Sequence, residues 1–306
     1  MSKLLENAKR REKVIKALKK YGFFISTCSY VIGIIWMFVL PHHEFSARNY
    51  FSENQLLPGL VDTYFSLNHY AHRTFNDIRQ SCSDDEMKVK EKIKSEFETF
   101  GFDVYEQKFS IPSKLINASN VYGVLRSPRA SGVESIILNV PFHKNCESAG
   151  SLAAMLAIAN YFREQTYWAK DIIFLVTEHG LYGAQAWLNG YFHDNTPGIH
   201  AEHLYGHGGS IQAAITLDFP GNTINKIDVL YVGSNGLLPN LDLIHVVTRI
   251  SNMEGVPAKL KHQSKVYLRK SEYLRNLETL IRMMSHQASG YPSGNHGLFY
   301  KYRIEV

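Results

Sequence analysis

Three polar groups stand where apolar runs of the sequence stop. Thr177 and Glu178 follow the run DIIFLV (171–176), Asp218 ends IQAAITL (211–217), and His296 stands just ahead of the closing segment. In an open α/β sheet, ligands bind outside the carboxyl ends of the strands. A Glu, an Asp and a His converging there would make a zinc shell, since carboxylate oxygen and imidazole nitrogen are ordinary zinc donors. The same positions have a plainer use, because Asp, Thr and Glu cap the backbone N–H groups where a strand turns into a helix. A second group of imidazoles, His179, His193, His200, His203 and His207, matches no standard zinc spacing and reads as a surface loop.

The elements that would hold these groups follow from hydrophobic periodicity. Helical spacing covers 60–78 and 86–100, separated by a polar turn at 81–85, with Gly101 closing the second helix. Strand-like runs follow at 104–109, 120–125 and 135–140, then a small-residue helix at 148–162, the strand 171–176 and a helix at 183–189. Strands at 211–217 and 227–232, helices at 241–250 and 272–284, and a loop entering a last strand complete the chain. Strands alternate with helices from residue 135 onward, which predicts an α/β fold with a mostly parallel central sheet and helices on both faces.

Charge and hydropathy divide the chain differently. The first 20 residues carry a net +6, and the rest lies within one charge of neutrality, so no nucleic-acid surface is indicated. Residues 21–40, YGFFISTCSYVIGIIWMFVL, contain no charge and are long enough to cross a bilayer as a helix. The basic flank precedes them, so the positive-inside rule places the N-terminus in the cytosol and everything after residue 41 across the membrane. The expected organisation is a cytosolic basic tail (1–20), a transmembrane helix (21–40), a tether (41–58) and a luminal α/β domain (59–306). Two further signals suit a luminal domain. Asn117-Ala118-Ser119 is an N-glycosylation sequon, and Cys82 and Cys146 stand where a disulfide is chemically permitted. Three Cys in 306 residues are too few for a disulfide-stapled scaffold.

The run Glu178-His179-Gly180-Leu181-Tyr182-Gly183 resembles the Glu-Glu-x-Gly-Leu-x-Gly segment of the zinc aminopeptidase and glutaminyl-cyclase-like clan. In that clan the first Glu is the general base and the second binds zinc. The resemblance puts Thr177 in the place of the base and Glu178 in that of the ligand. Leu217-Asp218 resembles the clan's later Asp ligand, and Asn295-His296-Gly297-Leu298-Phe299 its Asp-His-x-x-Phe, with His296 as the final ligand. The departures matter equally. The clan's His-x-Asp is met here by Val140-Pro141-Phe142-His143, and its bridging Asp by Asn145-Cys146-Glu147-Ser148. Losing the bridging ligand removes a second metal position. A threonine hydroxyl has no useful basicity near neutral pH, so hydrolytic turnover is not expected. One zinc on Glu178, Asp218 and His296 is what the resemblance leaves.

Longer blocks resemble one family more closely. Ser52-Glu53-Asn54, residues 120–130 (NVYGVLRSPRA), 167–179 (YWAKDIIFLVTEH), 238–243 (LPNLDL) and 294–299 (GNHGLF) are similar to the GPI-anchor attachment proteins, subunits of the GPI transamidase of the endoplasmic reticulum. The resemblance runs over nearly the whole chain. It implies a membrane glycoprotein that helps to attach GPI anchors to proprotein C-termini, working with a cysteine-protease-like subunit that supplies the nucleophile. The other implied partners are the remaining subunits, the GPI glycolipid and the proprotein C-terminal signal. It implies a non-catalytic role in assembling the complex and positioning glycolipid or substrate. The alternative is a single-zinc metalloenzyme that orients the GPI ethanolamine amine for amide formation. Family members continue into further membrane spans, so a chain stopping at Val306 is expected to be a fragment or an incomplete gene product.

Overall fold

The computed structural model describes residues 2–46, 60–62, 69–84, 86–129, 131–143, 147–221, 223–232, 241–260, 271–291 and 293–306. Cys146, Asn145, the Ser52–Asn54 block, residues 238–240 and most of the expected tether lie outside them. The chain divides into two compact units: residues 1–51 with 263–285, and residues 52–262 with 286–306.

The first unit contains α1 (Ser2–Val39), α2 (His43–Ser46) and most of α8 (Glu272–Ser289). α1 continues without a break from the basic tail into the apolar stretch. Its segment Lys19–Val39 is long and apolar enough to cross a membrane, at about 31 Å for 21 residues. None of that window is buried, and Phe23, Tyr30 and Ile32 are open to the surroundings.

The second unit is built on a six-stranded sheet. Its strands are β1 (Asp103–Ile111), β2 (Ile116–Leu125), β3 (Glu134–Phe142), β4 (Asp171–Glu178), β5 (His200–Ala201) and β6 (Ser210–Thr216), in the order β5-β1-β2-β4-β3-β6. The α/β expectation holds, with helices on both faces. The parallel pairing is confined to β3 with β4 and β3 with β6, while β1–β2, β1–β5 and β2–β4 are antiparallel. The sheet is therefore mixed. The β1–β2 link is a single 3-10 turn at Pro112–Lys114, too short for the crossover that a parallel pair needs. β7 (Ile227–Val229) and β8 (Ala258–Leu260) form a separate parallel pair beside α7 (Leu241–Met253).

Alternation along β4 sorts the core into two layers. Ile172, Phe174 and Val176 pack with Phe75 and Ile78 of α3 (His69–Asp84), Ile93 and Phe97 of α4 (Glu86–Thr99), and Leu152 and Leu156 of α5 (Ala149–Arg163). Ile173 and Leu175 face the other way, onto Trp187, Leu188 and Tyr191 of α6 (Leu181–Phe192) and Phe299 of α9 (His296–Lys301). Each such fully buried large side chain contributes about 1.5–3 kcal/mol of transfer free energy. Of the helix expected from 60, residues 61 and 62 are not helical, and the described helix begins at His69. It runs on to Asp84, through most of the expected polar turn, and within it the Ser81 hydroxyl turns back onto the Asp77 carbonyl as helical serines do. α4 ends as expected, with Gly101 at φ +79° and the Phe102 amide on the Phe97 carbonyl.

Candidate functional site

The turn after β4 shapes the site. His179 and Gly180 both take positive φ, 56° and 57°, which turns the chain sharply from β4 into α6. Gly183 then lies against the strand end, where a Cβ would fall 2.0 Å from the Glu178 carbonyl oxygen. The glycines of the run 178–183 are thus explained by backbone geometry alone. Asn120 of β2 fastens this turn from below: its Oδ1 accepts the Glu178 N–H at 3.1 Å, and its Nδ2 donates to the Gly183 carbonyl at 2.8 Å.

Glu178 points to the α4 side of the sheet, as Val176 does. Its carboxylate pairs with the Lys90 ammonium on α4 and accepts the Ser119 N–H at 2.9 Å. His179 Nε2 stands 3.9 Å from the other carboxylate oxygen. Thr177 points to the opposite layer and is fully buried. It donates to Asn139 Oδ1 (3.3 Å) and accepts from Asn295 Nδ2 (3.0 Å), while Asn139 donates onward to Thr216 Oγ1 (3.3 Å). This neutral chain ties β6, β3, β4 and the start of α9 together.

His296 is buried in that same layer, next in sequence to Asn295, with its Nε2 3.1 Å from Ser293 Oγ. The expected loop and last strand take another form. His296 opens the short helix α9, and the chain returns as an isolated parallel bridge between Glu305 and Ala213 at the β6 edge. Asp218 follows β6 on an exposed corner, its Oδ2 3.3 Å from His143 Nε2.

As placed, Glu178, Asp218 and His296 do not fit one zinc ion. Glu178 leaves β4 on the face opposite His296, and an ammonium already occupies the carboxylate that would bind a dication. Among the described residues no three His, Cys, Asp or Glu side chains gather as a metal-holding group. Of the three expected ligands, Asp218 is paired instead with His143.

Sequence reasoning missed Lys90, Ser119 and Asn139. Lys90 sits on a helix 88 residues before its partner, where no spacing rule could pair them. Asn139, inside an apolar strand, was the legible signal, because a buried amide demands partners.

Beside Glu178 lies a cleft of about 1020 Å³, lined among others by Lys90, Lys108, Asn117, His193, His200 and His203. Asn117 is exposed there, on the end of β2 that runs past β4. His193 and His203 lie with ring centres 4.8 Å apart and planes tilted by 38°, and His207 lies 6.1 Å from His193. Burial first, and then the neighbouring His193, His203 and Arg126, hold the His207 imidazole below its ordinary pKa, against a backbone hydrogen bond at Leu204 that raises it.

A family model described as Gaa1-like, GPI transamidase component, matches residues 117–306. The chain belongs to this family. It is 32% identical to the GPI transamidase component gaa1 of Schizosaccharomyces pombe, over 96% of this chain and 53% of that protein. It is 27% identical to GAA1 of Saccharomyces cerevisiae, over 92% of this chain and 45% of that one. The chain thus spans about half the length of the curated relatives it matches. A glutaminyl cyclase structure from Porphyromonas gingivalis aligns over 71% of this chain and 98% of its own, with TM-score 0.42 and 14% identity. The matched family segment contains all three expected ligands, the Thr177 network and the sequon.

Proposed function

We propose that this chain is a non-catalytic subunit of a GPI transamidase, held in the endoplasmic reticulum membrane by α1 with its N-terminus cytosolic and its sheet domain luminal. It assembles the complex and positions the GPI glycolipid or the proprotein C-terminal signal for a cysteine-protease-like subunit that forms the covalent intermediate. The membership of residues 117–306 in the Gaa1-like family carries this reading. The chemistry agrees with it. The place of a general base is filled by a buried hydroxyl that serves as a hydrogen-bond relay, and the adjacent carboxylate is neutralised by Lys90. The exposed sequon at Asn117 suits a luminal domain.

Affinity purification of the tagged chain from mild-detergent extracts of its own cells tests the assignment. The cysteine-protease-like subunit should co-purify, and its absence under conditions that keep other membrane complexes intact would sink the reading. Orientation is checked by glycosidase sensitivity, which Asn117→Gln should abolish. A zinc at Glu178, Asp218 and His296 would require Lys90 to release Glu178. Asp218→Asn is therefore expected to leave anchor transfer and metal content unchanged. A joint loss of both would replace the scaffold reading with the metalloenzyme one.

A further inference from the structure

In α8, Leu274, Leu277, Leu280, Ile281 and Met284 recur at helical spacing and form one apolar stripe. The other side carries Glu272, Arg275, Glu278, Arg282 and His286. On a globular domain such a stripe would be covered. Here none of the described α8 residues is buried, and Leu274, Ile281 and Met284 are 47%, 47% and 45% exposed. The level of the helix is fixed by two bonds. Tyr273 Oη donates to the Phe38 carbonyl at 2.8 Å, and Asn276 Nδ2 donates to the Pro41 carbonyl at 3.2 Å. Phe38 lies in the last turn of α1, whose final carbonyls have no partner within their own helix. The apolar segment ends one residue later, at Val39. In an anchored chain those carbonyls lie where hydrocarbon gives way to headgroups.

Resting on the membrane-anchor reading of α1, we propose that α8 is an interfacial helix that lies along the bilayer surface with its Leu274–Met284 stripe in the acyl boundary. The occupant of the stripe is lipid. An 18-residue helix is about 27 Å long, so a stripe running from residue 274 to 284 reaches the bilayer along its whole length only if the axis lies near the membrane plane. Tyr273 carries an amphipathic ring at that level, where such rings are favoured. The two Arg and two Glu of α8 balance, so apolar insertion rather than attraction to anionic headgroups provides the binding, and a zwitterionic bilayer suffices. The two bonds to the end of α1 set this helix at the level of a bilayer surface, which favours lipid over a protein partner.

The test uses the full chain in phosphatidylcholine nanodiscs, with Cys28, Cys82 and Cys146 changed to Ala and single cysteines labelled with the fluorophore NBD. Three positions are compared: Ile281→Cys on the stripe, Arg275→Cys on the polar side, and Ile32→Cys within the α1 segment. Shallow doxyl lipids should quench the label at 281 about twofold, leave that at 275 nearly unchanged, and deep doxyl lipids should quench that at 32. A label at 281 that behaves like the one at 275 while that at 32 is quenched overturns the interfacial helix and leaves the anchor standing. Protection of 281 from both doxyl lipid and aqueous iodide, once partner subunits are added, also overturns it and assigns the stripe to a protein. An unquenched label at 32 removes the anchor and the α8 proposal together. Each variant is first matched to the parent chain by its circular dichroism spectrum.

Discussion

At its first residue, Asp171, strand β4 carries a carboxylate that accepts from Arg126 Nη1 at 3.0 Å and from the Ser127 N–H at 2.8 Å. At its last residue, Glu178, it carries one that pairs with Lys90 and accepts the Ser119 N–H at 2.9 Å. The neighbouring antiparallel chain supplies the amide in both cases, Ser119 within β2 and Ser127 just beyond it. The surroundings differ. Asp171 has 1% of its side chain exposed, and Arg126 also holds Asp103 (2.8 Å) and the His207 carbonyl (2.7 Å). Glu178 retains 14% exposure and opens onto the cleft. Each strand-end carboxylate of β4 therefore ties this interior strand to the adjoining β2 chain, and a position that resembles a metal ligand can serve that purpose alone.

The comparison breaks most visibly at Asp171. Asp171→Ala leaves the Ser127 amide without its acceptor and Arg126 with one carboxylate fewer. It should cost about 2–3 kcal/mol, toward the lower side because Arg126 is nearly half exposed. Thermal unfolding of the purified chain should report this, and an unchanged midpoint would show that the buried end is no staple. The next effect is expected at Thr177→Val, which keeps the shape but strands Asn139 Oδ1 and Asn295 Nδ2 in the interior. A loss of about 1–3 kcal/mol follows, and a neutral result would mean that water replaces the hydroxyl.

The core of this domain was readable from sequence because β4 is buried on both faces and flanked by helices of clear period. The sheet's mixed direction was less so. A strand's apolar run does not record which neighbour it pairs with, and the expected strands at 104–109 and 120–125 left ten residues between them where the structure has a three-residue turn at Pro112–Lys114. At the site, the identities of Thr177, Glu178, Asp218 and His296 were legible, but their faces were not. One residue of alternation puts Glu178 on the α4 side and Thr177 on the side of His296, and strand period alone separates residues that motif spacing places together.

Glu178→Gln sharpens the contrast between the two ends. The amide keeps the Ser119 bond and most of the shape, so about 1 kcal/mol should be lost, less than at Asp171. Metal content, measured by elemental analysis, should not change. A fall in bound zinc with an unaltered unfolding midpoint would make this end a ligand site after all and separate it in kind from the other.

The smallest expected effect is a pH dependence confined to the Asp171 end. His207 packs against Tyr191 and lies near His193, His203 and Arg126, and burial is the chief reason that its pKa sits below 6.5. The unfolded chain binds this proton more readily than the folded one. The stabilisation is therefore complete above pH 6.5 and is lost as pH falls from there through the folded value. Because the His207 carbonyl, not its ring, accepts from Arg126, His207→Gln keeps the Arg126 bond while removing the titrating group. The wild-type midpoint should fall between about pH 7.5 and about pH 5.5, and the variant should fall less. Equal slopes would place the acid sensitivity elsewhere, and a larger slope in the variant would mean that the imidazole is held protonated rather than neutral beside Arg126.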